Sequence, residues 1–153
     1  MRAPIWILLC LAAGAPALLQ AQAPVVSLVR QPRATAVEFT VPWTEFQFSQ
    51  GPDHAVFHLG AGLGLRHWDD GDTSVRLVAD ANASFNGLFT GFGVVGEVPP
   101  GEKPFLGPRL RVGWAFHPRW ALSLEGEHLE RPFGEGWGVK RRSSLGLALS
   151  VRF

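Results

Sequence analysis

An all-β fold, an eight-stranded antiparallel up-and-down transmembrane β-barrel laid out as a meander, is the fold class this sequence predicts. Three observations predict it. Hydrophobic residues recur at every second position from Ala36 to Phe153, the spacing of a strand with one apolar and one polar face. Turn residues punctuate these runs, and 18 Gly, 12 Pro, 6 Trp and 11 Phe among 153 residues suit many short strands, not long soluble helices. The chain opens on a segment that reads as an export signal, which places the remaining residues outside the cytoplasm.

That opening segment has a charged start at Arg2, an apolar run from Ile5 to Leu11 and the small-x-small triplet Ala21-Gln22-Ala23 that signal peptidase cleaves. The apolar run is well short of the ~20 residues a spanning helix needs. Residues 1–23 are therefore expected to be a signal peptide and residues 24–153 one barrel domain. Cys10 is the only cysteine, and Leu9 precedes it where a lipid-anchoring signal would carry a small residue. The mature domain is thus expected to hold no disulfide, despite its oxidising destination. The net charge of +1 includes Arg2, so the remainder balances 13 basic against 13 acidic residues. That removes the electrostatic case for a nucleic-acid partner.

The alternation then predicts strands in order: Val37 to Ser49, Ala55 to Trp68, Thr73 to Phe85, Leu88 to Val98, Phe105 to Phe116, Arg119 to Glu130 and Arg142 to Phe153. In the last, Leu145, Leu147, Leu149, Val151 and Phe153 alternate with small or polar residues; in the fifth, Leu110, Val112, Trp114 and Phe116 alternate with Arg109, Arg111, Gly113 and Ala115. Gly51-Pro52, Asp70-Gly71, Asn86-Gly87, Pro99-Pro100-Gly101, His117-Pro118 and the Gly/Pro-rich stretch Arg131 to Gly138 supply the connections. The parity of the apolar row shifts between Trp43 and Phe46, which predicts a bulge near Pro42-Trp43-Thr44. Seven strands cannot close a barrel whose termini both face the periplasm, since single-chain outer-membrane barrels have an even number. Val25 to Gln31 is the remaining candidate for the eighth.

Alternation does not say which face is inside; size does. Eight strands enclose a lumen just wide enough for side chains, too narrow for the Leu, Phe and Trp rows, whereas Gly60, Gly62, Gly64, Gly91, Gly93, Gly113 and Gly146 suit it. The polar row is then internal. Its charges must be paired to survive burial, and Arg66, Arg76, Arg109, Arg111 and Arg152 can meet Glu38, Glu45, Asp80, Glu97, Glu125 and Glu127. The lumen network so expected contains Arg66, Arg76, Asp80, Arg109, Arg111, Glu125, Glu127 and Arg152, with Arg111 facing Glu125 or Glu127 across the His117-Pro118 turn as its first pair. Trp43, Trp114 and Trp120 would lie in interfacial girdles on an outer wall facing outer-membrane lipid.

The stretch Arg109 to Phe153, with Arg-Val-Gly-Trp-Ala-Phe-His-Pro-Arg-Trp-Ala-Leu-Ser-Leu-Glu-Gly-Glu and the closing Leu-Gly-Leu-Ala-Leu-Ser-Val-Arg-Phe, resembles the last three strands of small outer-membrane barrels of the opacity and outer-membrane-protein-A type. The terminal Phe153, with Val151 and Leu149 before it, resembles the signal that the barrel-assembly machinery recognises. The resemblance implies an outer-membrane location and that machinery as a partner. It implies little about activity, because related barrels include adhesins, anchors and enzymes.

Candidate chemistry is sparse. Gly91-Phe92-Gly93-Val94-Val95-Gly96 matches a dinucleotide-binding spacing but lies inside a strand, where no helix follows to hold a phosphate; no cofactor is expected. His54 and His58 would sit about 13 Å apart on a strand, and Asp69, Asp70 and Asp72 lack the other ligands of a calcium loop; no metal is expected. Small barrel deacylases of lipid A resemble a Ser-His-Glu triad with a His-x-Ser element, which this chain lacks. Ser123 and His128 point to opposite faces of one strand, so no base reaches that nucleophile locally. The expectation is a non-enzymatic bacterial outer-membrane protein with a structural or surface-interaction role and a lumen plugged by polar side chains. Lys140, Arg141 and Arg142 would offer a basic cluster to lipopolysaccharide or another surface ligand. A lipid-modifying barrel enzyme and a soluble exported ligand-binding barrel are the alternatives.

Overall fold

The structure, a computed structural model, describes residues 23–50, 53–131 and 141–153. All of the expected export signal except Ala23 lies outside the described residues, as do residues 132–140 of the longest expected loop and the side chains of His54 and Arg141.

Eight strands run in chain order: β1 (Val25–Gln31), β2 (Ala34–Gln50), β3 (Asp53–Trp68), β4 (Thr73–Phe85), β5 (Leu88–Val98), β6 (Phe105–His117), β7 (Trp120–Glu130) and β8 (Arg141–Arg152). Each pairs antiparallel with its neighbours, and β1 closes the ring on β8 from Val25↔Arg152 to Arg30↔Leu147. The short first strand is thus the one that closes the barrel. β2 begins three residues before the Val37 expected from the alternation, because Pro32-Arg33 is a two-residue turn and the ladder resumes at once with Gln31↔Ala34. The small residues Ala34 and Ala36 hid that start. The expected bulge lies between Pro42 and Thr44, and a second irregularity between Trp114 and His117 precedes the Pro118-Arg119 turn.

The two ends of the barrel differ. At one, the Phe153 amide donates to the Pro24 carbonyl at 3.1 Å, so both ends of the barrel domain share the rim with the tight Asn86-Gly87 and Pro118-Arg119 turns. Asn86 and Gly87 have φ of 49° and 85°, the paired left-handed conformation of a turn whose twist matches its strands. This is the turn end; the opposite, loop end carries Asp69–Asp72 and the longer connection 99–104.

Burial settles the sides. Val112, Leu110 and Leu124 are 62%, 60% and 54% exposed, whereas Arg66, Arg76 and Arg109 are each 1% exposed. Every strand contributes large apolar side chains to the outer wall. A soluble protein rarely shows a contiguous apolar patch above a few hundred Å²; here the patch runs around the circumference. The polarity is the inverse of a soluble barrel, whose apolar rows would meet inside. The inner face is not wholly polar: Val78, Val95, Phe105 and Leu129 form one buried cluster, and Val29, Ala36 and Ala148 another.

Inward glycines make room for the charges. Gly93 faces Asp80 and Gly91 faces Asn82 across β4 and β5, and a Cβ at either would run into the carboxylate or amide opposite. That close approach, not phosphate binding, accounts for the Gly-x-Gly of β5.

Candidate functional site

Among the described residues, five arginines and five carboxylates interlock in the lumen. Arg66 pairs with Glu97 at 2.6 Å and with Glu127. Arg76 pairs with Glu127, with Glu38 at 3.1 Å and with Glu97 at 3.7 Å. Arg109 pairs with Glu38 at 2.8 Å, donates to Glu125 at 2.9 Å and approaches Asp80 at 3.9 Å. Arg111 pairs with Glu125 at 2.6 Å, and Arg142 with Glu97 at 3.3 Å. Charges removed from water are tolerated only in such mutual arrangements, and the shared carboxylates tie β2, β3, β4, β5, β6, β7 and β8 into one unit. Ser74 donates to Glu97 at 2.9 Å, and Ser144 to Glu127 at 3.4 Å.

Of the residues expected in this network, Arg66, Arg76, Asp80, Arg109, Arg111, Glu125 and Glu127 lie together. Arg111 and Glu125 are register partners on β6 and β7, which is why counting back across the turn found the pair. Arg152 lies elsewhere: as the last residue of β8 it reaches the rim, where it is exposed and lines a cavity at the turn end. Glu45 sits on the part of β2 beyond its pairing with β1 and accepts a hydrogen bond from Gln47. Arg142 corrects another expectation. Instead of joining a basic surface cluster, it turns inward over Phe105 and Trp68, 4.4 and 4.9 Å from their ring centroids. Neighbours on a strand take opposite faces, and position 142 has inward parity. Leu149 and Phe153 lie on the outer wall, and Val151 is half-buried among them.

The cavity at the turn end holds ≈ 550 Å³ and is lined by His58, Asp80, Asn82, Arg111, Arg119 and Arg152 together with Phe89 and Trp120. Only Asp80 and Arg111 of the ion-paired set border it, so the network forms its floor and separates it from the loop end.

A second polar group sits on the outer wall. His128 on β7 lies opposite Ser143 on β8 in register; its Nδ1 is 2.7 Å from Ser143 Oγ and its Nε2 is 3.1 Å from Glu130 Oε1. Sequence reasoning tested His128 against Ser123, which is 3% exposed inside the lumen, and missed Ser143. The signal that could have found it is register: with Glu125 opposite Gly146, His128 must face residue 143.

No protein-family model matches the chain, and no curated protein matches its sequence. Solved structures of transmembrane barrels share its architecture. One is a de novo designed transmembrane β-barrel, at a TM-score of 0.55 and 10% identity over 86% of this chain and 96% of that one. Another is the outer membrane enzyme PagL, at a TM-score of 0.59 and 12% identity over 85% of this chain and 99% of that one. At these identities the likeness is one of fold, and together with the apolar outer wall it makes this chain a closed eight-stranded barrel of the transmembrane type.

Proposed function

We propose that the protein is a small bacterial outer-membrane barrel of the opacity or outer-membrane-protein-A kind, with a structural or surface-interaction role and no open pore. The observation that carries this reading is the inverted polarity, with a charge-balanced plug inside and an apolar wall outside. The turn end, with both ends of the barrel domain, faces the periplasm, and the loop end presents Asp69–Asp72 and 99–104 to the cell surface. Outer-membrane lipid is its solvent, lipopolysaccharide or another surface ligand meets its loops, and the barrel-assembly machinery recognises Leu149, Val151 and Phe153.

Expression of the whole chain in a Gram-negative host tests the reading. Membrane fractionation should recover the protein with the outer membrane, migrating differently on detergent gels before and after boiling, and planar bilayers should show no stable conductance steps. Recovery in the soluble periplasm would overturn the location, and steady ohmic conductance the plug.

A further inference from the structure

We propose that Ser143, His128 and Glu130 form an ester-cleaving site on the outer wall of the barrel, acting on acyl esters of membrane amphiphiles. It goes beyond the structural role and uses none of the lumen network.

The arrangement follows from strand geometry. Directly opposed residues of an antiparallel pair have Cβ atoms about 5 Å apart, so a serine facing a histidine reaches its ring without a long side chain. Residues two apart share a face, which puts Glu130 beside His128. The imidazole is thus held at both nitrogens, by Ser143 at 2.7 Å and Glu130 at 3.1 Å. An ionised carboxylate only accepts hydrogen bonds, so the ring proton sits on Nε2, facing Glu130. Nδ1 is left with a lone pair directed at the Ser143 hydroxyl. That is the relation between acid, base and nucleophile that activates a serine, whatever the chain order of the three. Ser143 is exposed and the His128 side chain is 44% exposed, so the nucleophile is open to a substrate.

The wall around the trio points to the substrate. Two positions from His128 toward the turn end, Gly126 stands in register between Leu110 on β6 and Leu145 on β8, and the nearest atom to a Cβ there would be a Leu145 methyl at 4.0 Å. A notch one residue deep, flanked by two leucines, therefore lies in the wall below the histidine. Beside it, a shallow depression of ≈ 370 Å³ is lined by Leu124, Leu145, Leu147 and Pro32, with Arg30 at its edge. An acyl chain lying on this apolar surface brings its ester to the height at which the wall turns polar, which is where Ser143 stands.

The chemistry needs only water. Ser143 Oγ adds to the ester carbonyl carbon as its proton passes to His128 Nδ1. The carbon–oxygen bond to the alcohol breaks, and the alcohol leaves with that proton. Water, deprotonated by the same nitrogen, then cleaves the acyl-serine to a carboxylic acid and free Ser143. Glu130 is a positioning residue that fixes the ring and its tautomer.

The test uses the full chain refolded in detergent, with folding of every variant verified by heat-modifiable migration. A long-chain alkyl fluorophosphonate should attach to Ser143, located by peptide mass spectrometry, and p-nitrophenyl esters should be hydrolysed. Ser143→Ala should abolish both, and His128→Asn should lower the rate by about 10²- to 10⁴-fold. Glu130→Gln should lower kcat with KM unchanged and Glu130→Asp should restore part of it, whereas a merely structural role would not separate the two constants. Mixed micelles of phospholipid and of lipopolysaccharide, assayed separately for released fatty acid, identify the natural ester. Folded wild-type protein that leaves Ser143 unlabelled, labelling that survives His128→Asn at full rate, or release from neither micelle would overturn the assignment. Because the label and the p-nitrophenyl esters act in detergent, these results stand apart from whether the protein reaches the outer membrane.

Discussion

Replacing Arg109 with leucine should be among the most damaging single changes to the barrel. Arg109 is 1% exposed, pairs with Glu38 at 2.8 Å, donates to Glu125 at 2.9 Å and lies 3.9 Å from Asp80. Its loss leaves four arginines against five carboxylates, with Glu38 and Asp80 deprived of their closest cation and Glu125 of its second-closest. Removing one partner of a buried ion pair costs about 3–5 kcal/mol, because the other charge remains desolvated. The charge-assisted hydrogen bond to Glu125 accounts for about 1.5–3 kcal/mol of that. At 1.4 kcal/mol per factor of ten, the folding constant should fall by roughly 10² to 10⁴. The assay is reversible urea unfolding in phospholipid vesicles, followed by tryptophan fluorescence and by heat-modifiable migration. Arg119→Leu, at an exposed turn position, is the reference and should shift stability by no more than about 0.5 kcal/mol. Adding Glu125→Gln to Arg109→Leu restores charge balance, so the double variant should be more stable than the sum of the two single effects by about 1 kcal/mol or more. Equal effects of Arg109→Leu and Arg119→Leu, or strict additivity in the cycle, would refute the account of the lumen as a mutually neutralised unit.

Two further outcomes are expected of the wall and its inner glycines. Gly93→Ala should cost about 1–3 kcal/mol in the same unfolding assay, as overpacking does, because its Cβ would collide with the Asp80 carboxylate and the Ala79 carbonyl; Gly126→Ala, whose Cβ meets nothing closer than 4.0 Å, should cost much less. Deleting Phe153, an outward residue that is 71% exposed, should lower the amount of barrel assembled in the outer membrane of living cells while leaving detergent refolding intact; an unchanged surface yield would count against its role as an assembly signal.

Most of the fold was legible along the chain. The bulge at Pro42 and Thr44 and the turn at Asn86-Gly87 follow from residue type and spacing, because turn chemistry and face alternation are properties of a few adjacent residues; the turn expected at His117-Pro118 falls one residue later, at Pro118-Arg119, and the first strand followed only from the even strand count of closed barrels. The choice of inner face was also legible, since side-chain volume against lumen width is a sequence-level quantity. Pairs within one hairpin, such as Arg111 and Glu125, could be counted across the turn.

Contacts that cross the lumen could not be read in that way. Arg66 meets Glu127 from β3 to β7, Arg76 reaches Glu38, Glu97 and Glu127 at once, Arg142 turns in over Phe105, and Arg152 ends at the rim. Ser143 likewise found His128 only once the register of β7 and β8 was set. The sequence by itself determined which side chains share a face, because a strand repeats every two residues; the closed tertiary structure decided which of them touch, because height in a barrel is the accumulated stagger of every strand pair around the ring.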